Sequence, residues 1–120
     1  MTPKECYDAW EKIKKIYRSD VEKGGTPLTT VTNIVKEIGV RNAYTVFSTI
    51  AESRKWDGRI YGRTKEKMMK TPYIEECVCR GGYEDKTWLL SDIDSIHMSL
   101  INQLIGCLMD NEKTLLKYNK

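Results

Sequence analysis

The sequence has 120 residues, of which 40% are hydrophobic and 31% charged, and its formal net charge is +3. A chain of this length and composition can bury a core without disulfides or metals, so we expect a single domain over residues 1–120. The mild net charge does not by itself indicate a nucleic-acid partner. No apolar run approaches the ~20 residues of a membrane-spanning helix. The start lacks the apolar segment of a secretory signal, which predicts a cytoplasmic protein.

The first predicted element is an amphipathic helix that begins after Thr2. Thr2 and Glu5 have the spacing of a capping box, and Pro3 suits the first helical position. Gly24 and Gly25 predict its end, because glycine tolerates the left-handed conformation of a C-cap. Hydrophobic residues recur at intervals of three and four, which indicates one buried face. They are Cys6, Ala9, Trp10, Ile13, Ile16, Tyr17 and Val21.

Two further helices are predicted before residue 54. Their lengths and the Gly39 turn between them resemble a helix-turn-helix. Few residues of the later helix suit base recognition, namely Arg41, Asn42 and Thr45, so an ordinary helical hairpin explains the pattern better. The apolar face of the second helix consists of Leu28, Val31, Ile34, Val35 and Ile38. The third helix, over about residues 41–54, buries Ala43, Tyr44, Val46, Phe47, Ile50 and Ala51.

A charged region follows the third helix. Trp56-Asp57-Gly58-Arg59 predicts a turn, because Asp can bond nearby amides and Gly accepts positive φ. A short basic helix is predicted over residues 63–70. Residues 54–70 hold seven basic and two acidic side chains, whereas residues 75–94 hold six acidic and two basic ones. The two blocks either solvate and complement each other within the fold or form a basic face for a nucleic acid or an acidic protein.

The rest of the chain contains one segment with two possible structures and one apolar helix. Residues 76–90 fit either a β-hairpin with a long loop or an irregular excursion. The last helix has an apolar stripe and is expected to break at Asp110-Asn111, before Leu115 and Leu116. The stripe consists of Ile96, Leu100, Leu104 and Leu108, widened by Ile101 and Ile105. The predicted fold class is therefore mainly α: a single-domain bundle of four to six helices, with or without one small hairpin at residues 76–90.

Catalytic and metal chemistry are weakly indicated. The chain has no Gly-rich phosphate loop, H-E-x-x-H or G-x-S-x-G motif, and its single histidine, His97, lies near a helix start. Cys77-Val78-Cys79 is a weak metal signal, since structural zinc sites normally show two close ligand pairs. We therefore predict a non-enzymatic protein with reduced cysteines, no catalytic residues, no metal and no cofactor.

One stretch of the chain resembles a known family. It runs from Ile38-Gly39-Val40-Arg41 through Ala43-Tyr44-Thr45-Val46 and Thr49-Ile50 to Trp56-Asp57-Gly58-Arg59-Ile60. Over about residues 33–70 it resembles an uncharacterised domain family of phages and mobile elements in gut Firmicutes. That family has a Gly, an Arg-containing helix, Trp-Asp-Gly-Arg and a short helix. It tends to have Ser, Asn and Trp after the Arg, where this chain has Tyr61, Thr64 and Lys67. The resemblance implies a genomic context and no mechanism.

From this context we expect an accessory protein that binds and inhibits a host defence nucleoprotein, as anti-CRISPR proteins do. The alternative is a small nucleic-acid-binding regulator with a helix-turn-helix-like or basic-helix surface. The expected partner is a host protein or nucleoprotein, with nucleic acid as a further candidate and no membrane, and the oligomeric state is left open. The candidate binding residues are Arg59, Tyr61, Arg63, Lys65 and Lys67, with Tyr83, Glu84 and Asp85 as a second surface.

Overall fold

The computed structural model describes residues 2–53 and 98–118, which form five α-helices and a short 3-10 helix. The α-helices are α1 (Pro3–Glu22), α2 (Pro27–Ile38), α3 (Val40–Ser53), α4 (Met98–Asp110) and α5 (Glu112–Leu115), and the 3-10 helix is Leu116–Tyr118. The described residues contain no strand, and the predicted mainly-α helical bundle is confirmed. The predicted turn at 56–59, basic helix at 63–70 and hairpin at 76–90 lie outside the described residues.

Both ends of α1 form the caps that its sequence predicts. The Glu5 amide donates to Thr2 Oγ1 at 3.1 Å, and the Thr2 amide donates to the Glu5 carboxylate at 3.4 Å, which completes the capping box. At the other end the Gly24 amide donates to the Val21 carbonyl, and the Gly25 amide to the Asp20 carbonyl. With Gly24 at a φ of +72°, this is a Schellman C-cap.

The second helix, α2, is central among the described helices because it contacts α1, α3 and α4. Thr26 caps its start by accepting the Thr29 amide at 3.2 Å. Most of its predicted apolar face is buried. Leu28, however, is 45% exposed, and Val21 of α1 is 52% exposed. The predicted burial of these two members of the apolar faces was therefore wrong. Both residues lie in terminal turns beside the α1–α2 connection, where the periodicity continues but the side chains stay exposed.

The third helix, α3, is buried more completely than its sequence predicts. It follows α2 through Gly39 alone, whose φ of +86° permits the sharp change of direction. All of residues 43–50 are buried, including Thr45, Ser48 and Thr49. The Ser48 and Thr49 hydroxyls both donate to the Thr45 carbonyl at 2.9 Å. Because these hydroxyls are satisfied within their own helix, they can lie in an apolar core.

The C-terminal helices close the described core. The break predicted at Asp110-Asn111 is confirmed, since α4 ends at Asp110 and the Asn111 side chain donates to the Cys107 carbonyl at 2.9 Å. Beyond it Leu115 is buried, whereas Leu116 is 38% exposed. The predicted stripe is buried at Ile101, Leu104, Ile105 and Leu108 and half-buried at Leu100, while Ile96 lies outside the described residues.

Candidate functional site

The binding residues predicted from the sequence all lie between α3 and α4, outside the described residues. They are Arg59, Tyr61, Arg63, Lys65, Lys67, Tyr83, Glu84 and Asp85. Their role in binding therefore stays a prediction. Among the depressions on the described helices is a polar groove that could hold a charged ligand.

This groove lies between α1 and α2 and has a volume of about 470 Å³, open to solvent. Its lining includes positions 15 and 19 of α1 and the C-cap residue 23, which are four apart and so lie on one side of the helix. The lining is polar except for Ile16. We refer to it as the lysine groove, formed by Lys15, Ile16, Ser19, Asp20, Lys23, Asn33, Lys36 and Glu37.

Two polar contacts tie the walls of the lysine groove together. Asp20 of α1 is only 8% exposed, and the Asn33 side chain of α2 donates to its two carboxylate oxygens at 3.1 and 3.4 Å. Lys12 lies 3.7 Å from the Glu37 carboxylate, again between α1 and α2. Lys12 thus partly balances the charge of Glu37, whereas Asp20 is buried and hydrogen-bonded to a neutral amide but keeps its negative charge.

The three lysines of the groove remain available to a ligand. Lys15, Lys23 and Lys36 are exposed, and among the described residues none of them forms an ion pair. The Lys36 ammonium lies 4.9 Å from the centroid of the Tyr118 ring, on which Lys117 also packs at 5.0 Å. These cation–π contacts hold positive charge beside the groove without neutralising it.

Sequence reasoning missed the lysine groove. The spacing of Lys15, Ser19 and Lys23 was a usable signal, since it predicts a polar stripe along α1 and its C-cap. The partners Asn33 and Lys36 could not be assigned, because which face of α2 lies beside this stripe depends on how the two helices pack. The sequence placed the positive charge in residues 54–70 instead.

The exposure of α3 bears on the helix-turn-helix resemblance. A recognition helix must expose one face to base edges. Over residues 40–50, α3 exposes Arg41 and half-exposes Asn42, while the others, Thr45 among them, are buried. Over residues 40–50 this helix is therefore a core element, and that part of it lacks the exposed face that DNA reading requires.

The described cysteines have the properties of structural thiols. Cys6 is buried, with its sulfur 3.9 Å from Thr49 Oγ1. Burial, together with the nearby Asp110 carboxylate, raises the pKa of the Cys107 thiol. A raised pKa disfavours the thiolate, which is the nucleophilic and metal-binding form. Within residues 2–53 and 98–118 no group of three His, Cys, Asp or Glu side chains could hold a metal ion. Cys77, Cys79 and His97 lie outside these ranges.

These features define the class of the protein as a mainly-α helical bundle with a polar, lysine-lined groove between its first two helices. In the described part of the chain no helix combines the length and hydrophobicity needed to cross a membrane. No protein-family model, curated protein or solved structure matches the chain.

Proposed function

We propose that this protein is a non-enzymatic accessory protein of a phage or mobile element. In this proposal it acts in the bacterial cytoplasm, where it binds and inhibits a host defence nucleoprotein, as anti-CRISPR proteins do. The resemblance of residues 33–70 to a phage and mobile-element family supports the genomic context. The partner would be a nucleoprotein because such a complex offers both phosphates and basic protein surface.

The observation that carries the proposal is the separation of charge along the connection between α3 and α4. Its first part, residues 54–70, has seven basic and two acidic residues, whereas residues 75–94 have six acidic and two basic ones. Opposite charges on two adjacent segments can complement the nucleic acid and the protein of one complex. The helices on either side support this use, since Phe47 and Ile50 of α3 and Ile101 of α4 are fully buried and anchor both ends of the connection in the core.

Inhibition of defence is the direct test. The full chain would be expressed in bacteria that carry, one at a time, reconstituted CRISPR effector complexes of low-GC Gram-positive hosts, and phage plating would be measured. We expect plating to recover with at least one effector, and the purified chain to bind that effector. Full interference across the panel, with no binding to any purified effector, would contradict the proposal.

Charge-reversal variants test the surface. Arg59→Glu combined with Arg63→Glu is expected to abolish the recovery of plating, since reversed charges repel phosphates. The matched control is Lys4→Glu with Lys113→Glu, which makes the same change of net charge on exposed residues of α1 and α5. Equal loss in both variants would show that net charge alone matters.

The second surface has its own variant, Glu84→Lys with Asp85→Lys. If these residues contact a basic protein surface, this variant is expected to lose binding to the protein component of the effector. The variant at Arg59 and Arg63 is expected to lose the part of the binding that depends on the guide nucleic acid. The alternative function, a small nucleic-acid-binding regulator acting through the basic segment, predicts salt-dependent binding to free DNA or RNA and no change in phage plating.

A further inference from the structure

We propose that the lysine groove binds the phosphate backbone of single-stranded nucleic acid. The site is separate from the basic segment of residues 54–70. The inference does not rest on the proposed function, because it requires no defence complex and is carried by described residues alone.

The charge of the groove favours an anion. Its lining includes three lysines and two carboxylates. The buried Asp20 receives both amide hydrogen bonds of Asn33, and Glu37 is paired with Lys12 from outside the lining. The lining thus has three ammonium groups against two carboxylates, and Lys15 and Lys23 have no carboxylate partner among the described residues. An anionic ligand would supply the missing partners.

The arrangement of the lysines fits an extended polyanion. Lys15 lies on α1 and Lys23 is its C-cap residue, eight positions further on, which is about 12 Å at a rise of ~1.5 Å per residue. Lys36 contributes from the facing wall on α2. Its ammonium can contact the Tyr118 ring and a phosphate together, because it carries three donor hydrogens. Three ammonium groups along one groove can follow successive phosphates of a strand.

The shape of the groove favours a single strand over a duplex. Duplex readers insert a protruding helix or strand pair into the major groove of DNA. Here the lysines line an open depression between two helices, along which a single strand can lie. The lining also argues against a peptide, since peptide grooves depend on apolar pockets for anchor side chains and Ile16 is the sole apolar residue here. Ser19 adds a hydroxyl donor for sugar or phosphate oxygens.

Binding would be measured with the full chain and a fluorescent oligothymidylate of about 12 nucleotides, within the site sizes of single-strand binders. Three phosphate contacts in the groove are expected to contribute about −2 to the slope of log Kobs against log salt, at ~0.7 per contact. Lys15→Gln with Lys23→Gln is expected to reduce the magnitude of the slope by about 1.4 and to weaken binding at least tenfold at about 50 mM salt. Both side chains are exposed, so thermal unfolding of this variant should match that of the wild type.

Two comparisons make the test specific. Lys4→Gln with Lys113→Gln removes the same charge elsewhere and is expected to leave the slope unchanged. Arg59→Gln with Arg63→Gln reports separately on the basic segment. The proposal is overturned if no oligonucleotide binds at low salt, if the control pair weakens binding as much as the groove pair, or if only the variant at Arg59 and Arg63 loses affinity. Binding of a poly-glutamate peptide without binding of the oligonucleotide would also overturn it.

Discussion

The hydroxyl of Tyr44 donates a hydrogen bond to a carboxylate oxygen of Glu112 at 3.1 Å, between positions 68 residues apart. Tyr44 is fully buried in α3, and Glu112 is the first residue of α5. A helix as short as α5 is not stable by itself. This bond, together with the buried Leu115, therefore fixes the C-terminal segment against the core.

Replacement of Tyr44 by Phe tests this bond. We expect the free energy of unfolding to fall by about 1.5 kcal/mol, since hydrogen bonds to charged groups contribute ~1.5–3 kcal/mol. Urea denaturation measures the loss, with an unchanged m-value as evidence of an intact fold. Tyr17→Phe is the control, because the Tyr17 hydroxyl forms no hydrogen bond that is seen within the described residues. Equal stability of the Tyr44 variant and the wild type would show that the bond contributes nothing.

The contrast between Ile34 and Leu28 tests which part of α2 belongs to the core. The sequence pattern assigns both to one apolar face, but Ile34 is fully buried and Leu28 is 45% exposed. Ile34→Ala is expected to lower the free energy of unfolding by about 2–5 kcal/mol through lost burial and a cavity. Leu28→Ala is expected to change it by no more than about 0.5 kcal/mol, as at other surface sites. Chemical denaturation of both variants measures this difference, and similar costs would refute the structural assignment.

Gly24 and Gly106 are expected to respond to alanine with opposite signs. Gly24 has a φ of +72°, so Gly24→Ala should cost about 1 kcal/mol from the left-handed backbone alone. Gly106 lies inside α4, where an added Cβ would meet no heavy atom of the described residues within 4 Å apart from its chain neighbours and the backbone of its own helix. Gly106→Ala should stabilise the protein by about 0.5–1 kcal/mol because alanine favours the helix. Melting temperatures of both variants measure these effects, and a stabilised Gly24 variant would contradict the Schellman cap.

The raised pKa of Cys107 predicts slow alkylation. Burial, and to a lesser degree Asp110, favours the neutral thiol, so the rate with iodoacetamide should reach half its maximum above the ordinary thiol pKa of about 8.5. Asp110→Asn should move that midpoint to lower pH, since it removes the negative charge that opposes the thiolate. Asp8→Asn, which makes the same charge change on α1, should not. Peptide-resolved mass spectrometry isolates Cys107 from the other cysteines, and an unshifted midpoint in Asp110→Asn would exclude the coupling.

The same group also affects stability at alkaline pH. Because the pKa in the folded state is raised above the unfolded value, the contribution of Cys107 to stability is fully present below the unfolded pKa. It is lost as pH rises through the raised folded pKa. Cys107→Ala should therefore flatten the alkaline part of the stability curve, measured by urea denaturation at several pH values.

Local chemistry made several parts of the fold predictable. The capping box at Thr2 and Glu5 and the glycine cap at Gly24 depend on groups within a few positions of each other, so the sequence was sufficient to identify them. Where burial depends on residues distant in the sequence, hydrophobic periodicity was not sufficient to predict which side chains are buried. It assigned Val21 and Leu28 to the core, although both are exposed, and did not indicate that Thr45, Ser48 and Thr49 are buried.

The candidate site shows the same division. The sequence by itself determined the helical class, the helix boundaries set by caps and glycines, and the charge blocks of residues 54–94, because each of these is a property of neighbouring residues. Only the tertiary structure brought Asn33 to Asp20, Glu37 to Lys12 and Lys36 to Tyr118. Those contacts depend on the packing of α2 against its neighbours, which depends on the summed burial of many side chains rather than on any local motif.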